Sequence, residues 1–213
     1  TAGHWNLEAG VILLSKFGCP DEDTEAISQT LDQLANEACS QVKSENPPEQ
    51  TVKALTHFLF FEKGFEGNTI DFLDPDNTYF SRMLENKKGI PITLSALCIF
   101  IGQRLGLPIV GIGLPGRYIA KYDSLTQPIY FDPFDKGRIL TKEDCAKLTE
   151  KMGYRFEEHY LVPATSRETL TRMMNNLIVT YNKNSELGKA SHLSGFIKAL
   201  NESPKRNSPM RPS

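Results

Sequence analysis

Residues 89–108 read GIPITLSALCIFIGQRLGLP, and residues 109–132 continue IVGIGLPGRYIAKYDSLTQPIYFD. The first stretch places Leu94, Leu97, Cys98, Ile101 and Leu105 on one helical stripe, with Pro91 ahead of it and Gly106 and Pro108 behind. Start signal, stop signal and period agree on a helix over Thr93–Leu105. Beyond it the period changes. Ile109–Leu114, Arg117–Tyr122 and Ile129–Asp132 are short β-rich runs separated by Pro-Gly or polar turns, which predicts three antiparallel strands after a buried helix. Gly111 and Gly113 within one strand predict close approach of another backbone or side chain.

Upstream, apolar residues at helical spacing predict helices over 7–17 and 24–43, broken at Gly18-Cys19-Pro20-Asp21, with Thr24 or Asp23 as the cap of the second. A connector with Pro47-Pro48 leads to a helix over Thr51–Glu62, which Gly64 ends. Residues 64–78 read as an ordered loop with a turn at Asp74-Pro75-Asp76-Asn77, and Thr78 then caps a short helix through Leu84. Helical pattern returns over 141–151 and 166–182. The division expected is a helical segment over 1–50, a core over 51–145, a second helical segment over 146–200 and a disordered tail over 201–213.

The 213 residues suffice for one substantial core, and 39% hydrophobic with 23% charged residues is a globular composition. A net charge of −2 gives no attraction to phosphate backbones or anionic lipid, so neither nucleic acid nor a membrane is expected as a partner. Cys19, Cys39, Cys98 and Cys145 form no C-x-x-C pair and lie far in sequence from His4, His57, His159 and His192. No zinc spacing results, no metal or other cofactor is expected, and reduced thiols in a cytoplasmic setting are the simpler reading. The apolar run Ala9–Leu14 is too short to span a bilayer and has no basic leader. The chain opens on threonine, so residues upstream of it, a targeting segment among them, lie outside this reading.

A helix feeding a meander of three strands is the core plan of papain-like and transglutaminase-like enzymes. There a cysteine stands at the helix N-terminus, a histidine on the second strand and an aspartate on the third. The helix dipole lowers the thiol pKa, the imidazole takes the proton, and the carboxylate fixes the tautomer. Here the helix start reads Gly89-Ile90-Pro91-Ile92-Thr93 without a cysteine, and the second strand offers Arg117, which stays protonated at any working pH and cannot act as a base. Asp132 alone is kept.

Several stretches together resemble the SirB-type family, a bacterial group with a transglutaminase-like core domain also found in some F-box proteins. They are LTHFLFFEKGFEGN (55–68), DPDNT (74–78), GIPITLS (89–95), RLGLP (104–108), LPGRY (114–118), FDPFDKG (131–137) and RMMNNLIVTY (172–181). The resemblance covers nearly the whole chain and implies an α+β fold: a transglutaminase-like (papain-like) core with a buried helix against a three-stranded antiparallel sheet, flanked by N- and C-terminal helices. Members often carry Pro-Gly-His where this sequence has Pro115-Gly116-Arg117, and usually continue into helical repeats whose function lies outside these residues.

The candidate cleft residues are Arg117, Asp132, Thr93, Ser95, Tyr118 and Asn77. Arg117 and Asp132 on adjacent strands would make either a structural ion pair or a cationic pocket for an anionic ligand or a partner's carboxylate. Thr93 and Ser95 are either capping hydroxyls or nucleophiles, and Cys98 is either a small core hydrophobe or a thiol nucleophile. Two functions follow: a non-catalytic, regulatory or protein-binding module, or a hydrolase or acyltransferase using Ser95, Thr93 or Cys98. A third puts the function on the N-terminal helices and the 166–182 helix, and asks for a contiguous exposed apolar patch there.

Overall fold

The computed structural model describes residues 6–125 and 127–202. In chain order the elements are α1 (Leu7–Gly18), α2 (Thr24–Ala38), α3 (Pro48–His57), a π-helical turn (Phe58–Glu62), β1 (Glu66–Gly67), α4 (Phe80–Asn86), β2 (Lys88–Gly89), α5 (Pro91–Arg104), β3 (Ile109–Ile112), β4 (Ile119–Tyr122), β5 (Ile129–Asp132), β6 (Arg138–Leu140), α6 (Lys142–Glu150), α7 (Ser166–Lys183) and α8 (Leu187–Glu202). Strands β3 to β6 form one antiparallel sheet in sequence order, and β1 pairs with β2 in parallel. The architecture is therefore α+β, with four strands where three are expected. The additional β6 aligns Asp132 with Arg138, Phe131 with Ile139 and Tyr130 with Leu140. The chain reverses into it through Lys136 and Gly137, both at positive φ.

Every residue of α5 from Pro91 to Gly102 is buried. A helix apolar all round must be enclosed on all sides. The sheet face carrying Ile109, Tyr118, Ala120, Ile129 and Phe131 joins α5, α1, α2, α3, α4 and α7 in one apolar cluster. The opposite face, with Ile112, Ile119, Tyr130 and Leu140, closes a smaller cluster with Cys145 of α6 and Leu161.

Local chemistry sets the element ends. Asp23 caps α2 by accepting from the Glu25 and Ala26 N–H groups at 3.0 and 3.3 Å, and Thr141 and Thr165 open α6 and α7 with capping boxes closed by Asp144 and Glu168. Thr78 does not cap α4 as expected. It follows the 3-10 turn Pro75–Asn77, and Tyr79 occupies the cap position. The expected tail lies, from residue 203 onward, outside the described residues. On the helical side, Leu13 of α1, Val179 of α7 and Phe196 of α8 are exposed.

Gly111 meets the close approach expected of it. A Cβ there would lie 2.0 Å from the Tyr118 hydroxyl oxygen, which is held by Thr169 Oγ1 at 2.8 Å. Gly111→Ala must displace the ring and its hydrogen bond, and is expected to cost roughly 2–3 kcal/mol in urea unfolding, as overpacking plus one lost hydrogen bond. Adding Tyr118→Phe removes the closest atom, so the double variant should lose less than the sum of the single ones.

Candidate functional site

The site forms where the α5 N-terminus meets the ends of β4 and β5. Pro91 takes the first helical position, where its missing N–H costs nothing. Ile90 has no side-chain acceptor to cap the helix, and Thr93 substitutes by reaching back. Its Oγ1 accepts from the Ile90 N–H at 3.1 Å, donates to the Asn77 carbonyl at 2.8 Å, and lies 3.0 Å from the Ile90 carbonyl. Ser95 Oγ donates to the Pro91 carbonyl at 2.8 Å. Both hydroxyls are fully buried. Their proton acceptors are backbone carbonyls, which orient a hydroxyl but do not remove its proton. Cys98 is fully buried deeper in α5, and burial pushes its thiol far above the usual range.

Asn77 joins this helix end to the preceding loop. Its amide nitrogen donates to the Asp71 carbonyl at 2.6 Å, its side-chain oxygen accepts from Asn68 Nδ2 at 3.0 Å, and its own carbonyl receives Thr93. The 68–77 loop is thereby fixed on the helix start.

Arg117 sits in the turn just ahead of β4, not within the strand as expected. The Arg117 N–H donates to the Leu114 carbonyl at 3.1 Å, and Gly116 has φ +73°. Proline second and a positive-φ glycine third are the requirements of a type II turn. The turn aims the guanidinium at Asp132, whose Oδ2 accepts from Nε at 2.9 Å and Nη2 at 2.7 Å, while Oδ1 accepts from the Phe134 N–H at 3.0 Å. Asp132 is 1% exposed and Arg117 22%. The guanidinium also lies over the Phe134 ring, 4.6 Å from its centroid. Tyr118, next in sequence, is buried with its hydroxyl engaged by Thr169 of α7.

Phe134 escaped the sequence reading, although an aromatic residue two positions after Asp132 was the available signal. It links the parts of the site, with Arg117 on its face and Phe72 of the loop edge-on at 6.0 Å. It also packs so tightly on β1 that a Cβ at Gly67 would lie 2.7 Å from its ring. From α7, Arg172 Nη1 donates to the Leu114 carbonyl of the turn at 2.8 Å.

The described histidines stand apart from this pair. His57 stacks on Phe61 of the π-helical turn, His159 pairs with Glu157 at 3.2 Å, and His192 is exposed on α8. Among the described residues no group of three or more His, Cys, Asp or Glu side chains could hold a metal ion. The four cysteines are free. No helix among the described residues is long and apolar enough to cross a membrane.

A buried helix whose N-terminus faces the ends of an antiparallel meander, with a carboxylate at the third strand's edge, defines the class of papain-like cores. Within it, the chain belongs to the transglutaminase-like superfamily, whose family profile matches residues 25–175. It is 26% identical over 200 residues to a UPF0162 protein of Xylella fastidiosa, covering 91% of this chain and 71% of that one. To the UPF0162 protein of Vibrio cholerae it is 29% identical over 137 residues, 64% of this chain and 50% of the relative. Human F-box only protein 21 is 27% identical over 137 residues, 61% of this chain but 21% of that protein. No solved structure gives a significant match.

Proposed function

We propose that this chain is a transglutaminase-like domain that does not catalyse and acts as a protein-binding or regulatory module, with the surface around Arg117 and Asp132 as its contact. In this reading the core over 51–145 carries the surface, the segments 1–50 and 146–200 support it, and the thiols stay reduced in a cytoplasmic setting. The observation that carries it is the Arg117–Asp132 pair. The carboxylate that would orient a catalytic imidazole is instead held by a permanently protonated guanidinium at 2.7 and 2.9 Å. A match spanning about a fifth of a much longer F-box only protein supports a domain that works as part of something larger.

The competing reading, a hydrolase or acyltransferase, needs Ser95, Thr93 or Cys98 beside a base. Both hydroxyls are spent on backbone carbonyls, and the Cys98 thiol is buried in α5. Labelling of the native chain with a fluorophosphonate and with iodoacetamide, read by peptide mass spectrometry, separates the two. Exposed Cys39 should alkylate readily at pH 8. Cys98 and Cys145 should not, because burial pushes both thiols up, Cys145 to about 12. Thr93 and Ser95 should stay unmodified. Fluorophosphonate on either, in folded protein, would end the non-catalytic reading.

A further inference from the structure

Strand β3 lies at one margin of the four-stranded sheet, with β4 on its inner side. The Asp123 N–H donates to the Pro108 carbonyl at 2.7 Å, and the two face each other one step before Ile109 meets Tyr122. Bonded and non-bonded pairs alternate along an antiparallel ladder, so Val110 and Ile112 bond to β4 while Ile109 and Gly111 turn their backbone groups outward. The Ala164 N–H fixes the same phase by donating to the Gly111 carbonyl at 2.9 Å from the outer side. The Ile109 N–H is spent on the Leu107 carbonyl at 2.9 Å. Two groups are left, the Ile109 carbonyl and the Gly111 N–H, and neither has a partner among the described residues. Both residues are buried. Buried backbone groups are almost always paired, so an open acceptor and an open donor two positions apart on one strand edge mark a place that water or a ligand must complete.

That edge opens on a cavity of about 490 Å³, within the ~300–1,000 Å³ of small-ligand sites. Leu7 of α1, Ile99 of α5 and Ala164 give it an apolar wall, and Asn6, Gln103 and Ser166 add uncharged polar groups. No residue that lines it carries a charge. Of the carboxylates next in sequence to its walls, Glu8 is tied to Arg104 and Glu168 closes the Thr165 cap. An ionic guest would lose hydration there without gaining a counter-charge, which disfavours phosphate and free carboxylates. The ladder is short as well. Pro163 pairs with Ile112 on the same edge and Ala164 takes the Gly111 carbonyl, so a guest finds only the stretch beside Val110. Of the sequence-predicted cleft residues only Tyr118 borders this cavity, and its hydroxyl is engaged by Thr169.

We propose that the outer edge of β3 at Ile109–Gly111, with the cavity beside it, is a binding site for an uncharged, extended peptide segment of a partner protein. The guest backbone gives one N–H to the Ile109 carbonyl and receives the Gly111 N–H on one of its own carbonyls, and an apolar side chain enters the cavity. Main-chain bonding at a strand edge with a pocket for a side chain is how strand addition recognises peptides. A parallel guest uses the N–H and carbonyl of the single residue beside Val110, and an antiparallel guest uses the two flanking peptide groups. This goes beyond the Arg117 surface and stands or falls separately from it.

The test is titration of the 15N-labelled chain with N-acetyl-leucine N-methylamide, which carries every group that either orientation needs. It should shift the Gly111 amide resonance saturably, together with those of Val110 and Ala164. Two methylated analogues then read the hydrogen bond to the Ile109 carbonyl. Methylation of the leucine nitrogen removes the donor of a parallel guest, and a terminal dimethylamide removes that of an antiparallel one. One analogue should bind roughly tenfold more weakly and the other like the parent, which also gives the direction of the strand. The longer N-acetyl-Ala-Leu-Ala N-methylamide should bind at least as well as the capped residue. Ala164→Leu, which fills the wall beside the edge, should abolish the shifts at an unchanged urea midpoint, and the methylated series needs no variant should that one fail to fold. No saturable shift at Gly111, or equal binding by both analogues and the parent, overturns the proposal. Equal weakening by both analogues means exclusion by bulk and overturns it too. Exclusion of the longer peptide assigns the cavity to a small free amide instead of a partner's chain, and retained binding in folded Ala164→Leu places the probe elsewhere; either result ends the strand-addition reading.

Discussion

Asp132→Ala is expected to destabilise the fold by about 3 kcal/mol, the low end of what breaking a buried ion pair costs. Three donors converge on this carboxylate: Arg117 Nε, Arg117 Nη2 and the Phe134 N–H. Removing it leaves the N–H at the start of a 3-10 turn without an acceptor and leaves a guanidinium pinned over an aromatic ring without its counter-ion. The loss stays below the upper limit because Arg117 is 22% exposed and can recover part of its hydration. The partner substitution separates the two contributions. Arg117→Leu with Asp132→Asn keeps an acceptor for the Phe134 N–H and removes both charges, so the double variant should be more stable than Asp132→Ala alone, although it carries one change more. Urea unfolding midpoints compare them directly. A loss under about 0.5 kcal/mol for Asp132→Ala would mean that the pair behaves as a surface ion pair, and the case for a permanently occupied carboxylate would weaken with it.

The parts of this fold legible in the sequence are those where several local signals coincide. Helix α5 is bracketed by Pro91 and by Gly106 and Pro108, and the structure moves its start only two residues upstream, from Thr93 to Pro91. The strands ending at Tyr122 and Asp132 are found where β-rich runs meet turn residues. Strand β6 was illegible because three residues, Arg138-Ile139-Leu140, are too few to show alternation, and they pair only because Lys136 and Gly137 turn the chain back. Helix α8 was missed because Gly188, Ser191, Ser194 and Gly195 dilute its apolar face. The predicted helix over Thr51–Glu62 exists, but its last turn widens to π geometry at Phe58–Glu62, which spacing does not encode.

The candidate site was legible in part for a different reason. A residue type can be recognised as unfit for a role without any coordinates, so Arg117 excluded a base from the sequence alone. Which groups surround it depends on tertiary contact. The ring of Phe134 under Arg117 and the grip of Arg172 on Leu114 join residues 17 and 58 positions apart, from different elements. Tyr118 adjoins Arg117 in sequence, yet its hydroxyl is spent on Thr169. Chain adjacency at a strand's start gives proximity of backbones without shared direction of side chains.

Phe100→Ala should produce the largest loss, about 3–5 kcal/mol, because the ring is fully buried at the middle of α5 and meets Phe80 of α4 edge-on at 5.2 Å. A domain's net stability is only about 5–15 kcal/mol, so the change removes a large share of it. The effect reaches the site through the helix itself. Helix α5 carries Thr93, which holds Asn77 and the 68–77 loop, and it packs against β3 and β4, the strands on either side of the Arg117 turn. A cavity beneath Phe80 should loosen the loop's amide protection from hydrogen exchange together with that of α5, whereas Phe196→Ala on the exposed face of α8 should cost less than about 1 kcal/mol and leave both unchanged. If Phe100→Ala lowered stability while the 68–77 amides kept full protection, the loop would be held by its own asparagine bonds rather than by the helix. The surface around Arg117 would then be organised from the loop side, by Asn68 and Asn77, and not from the core.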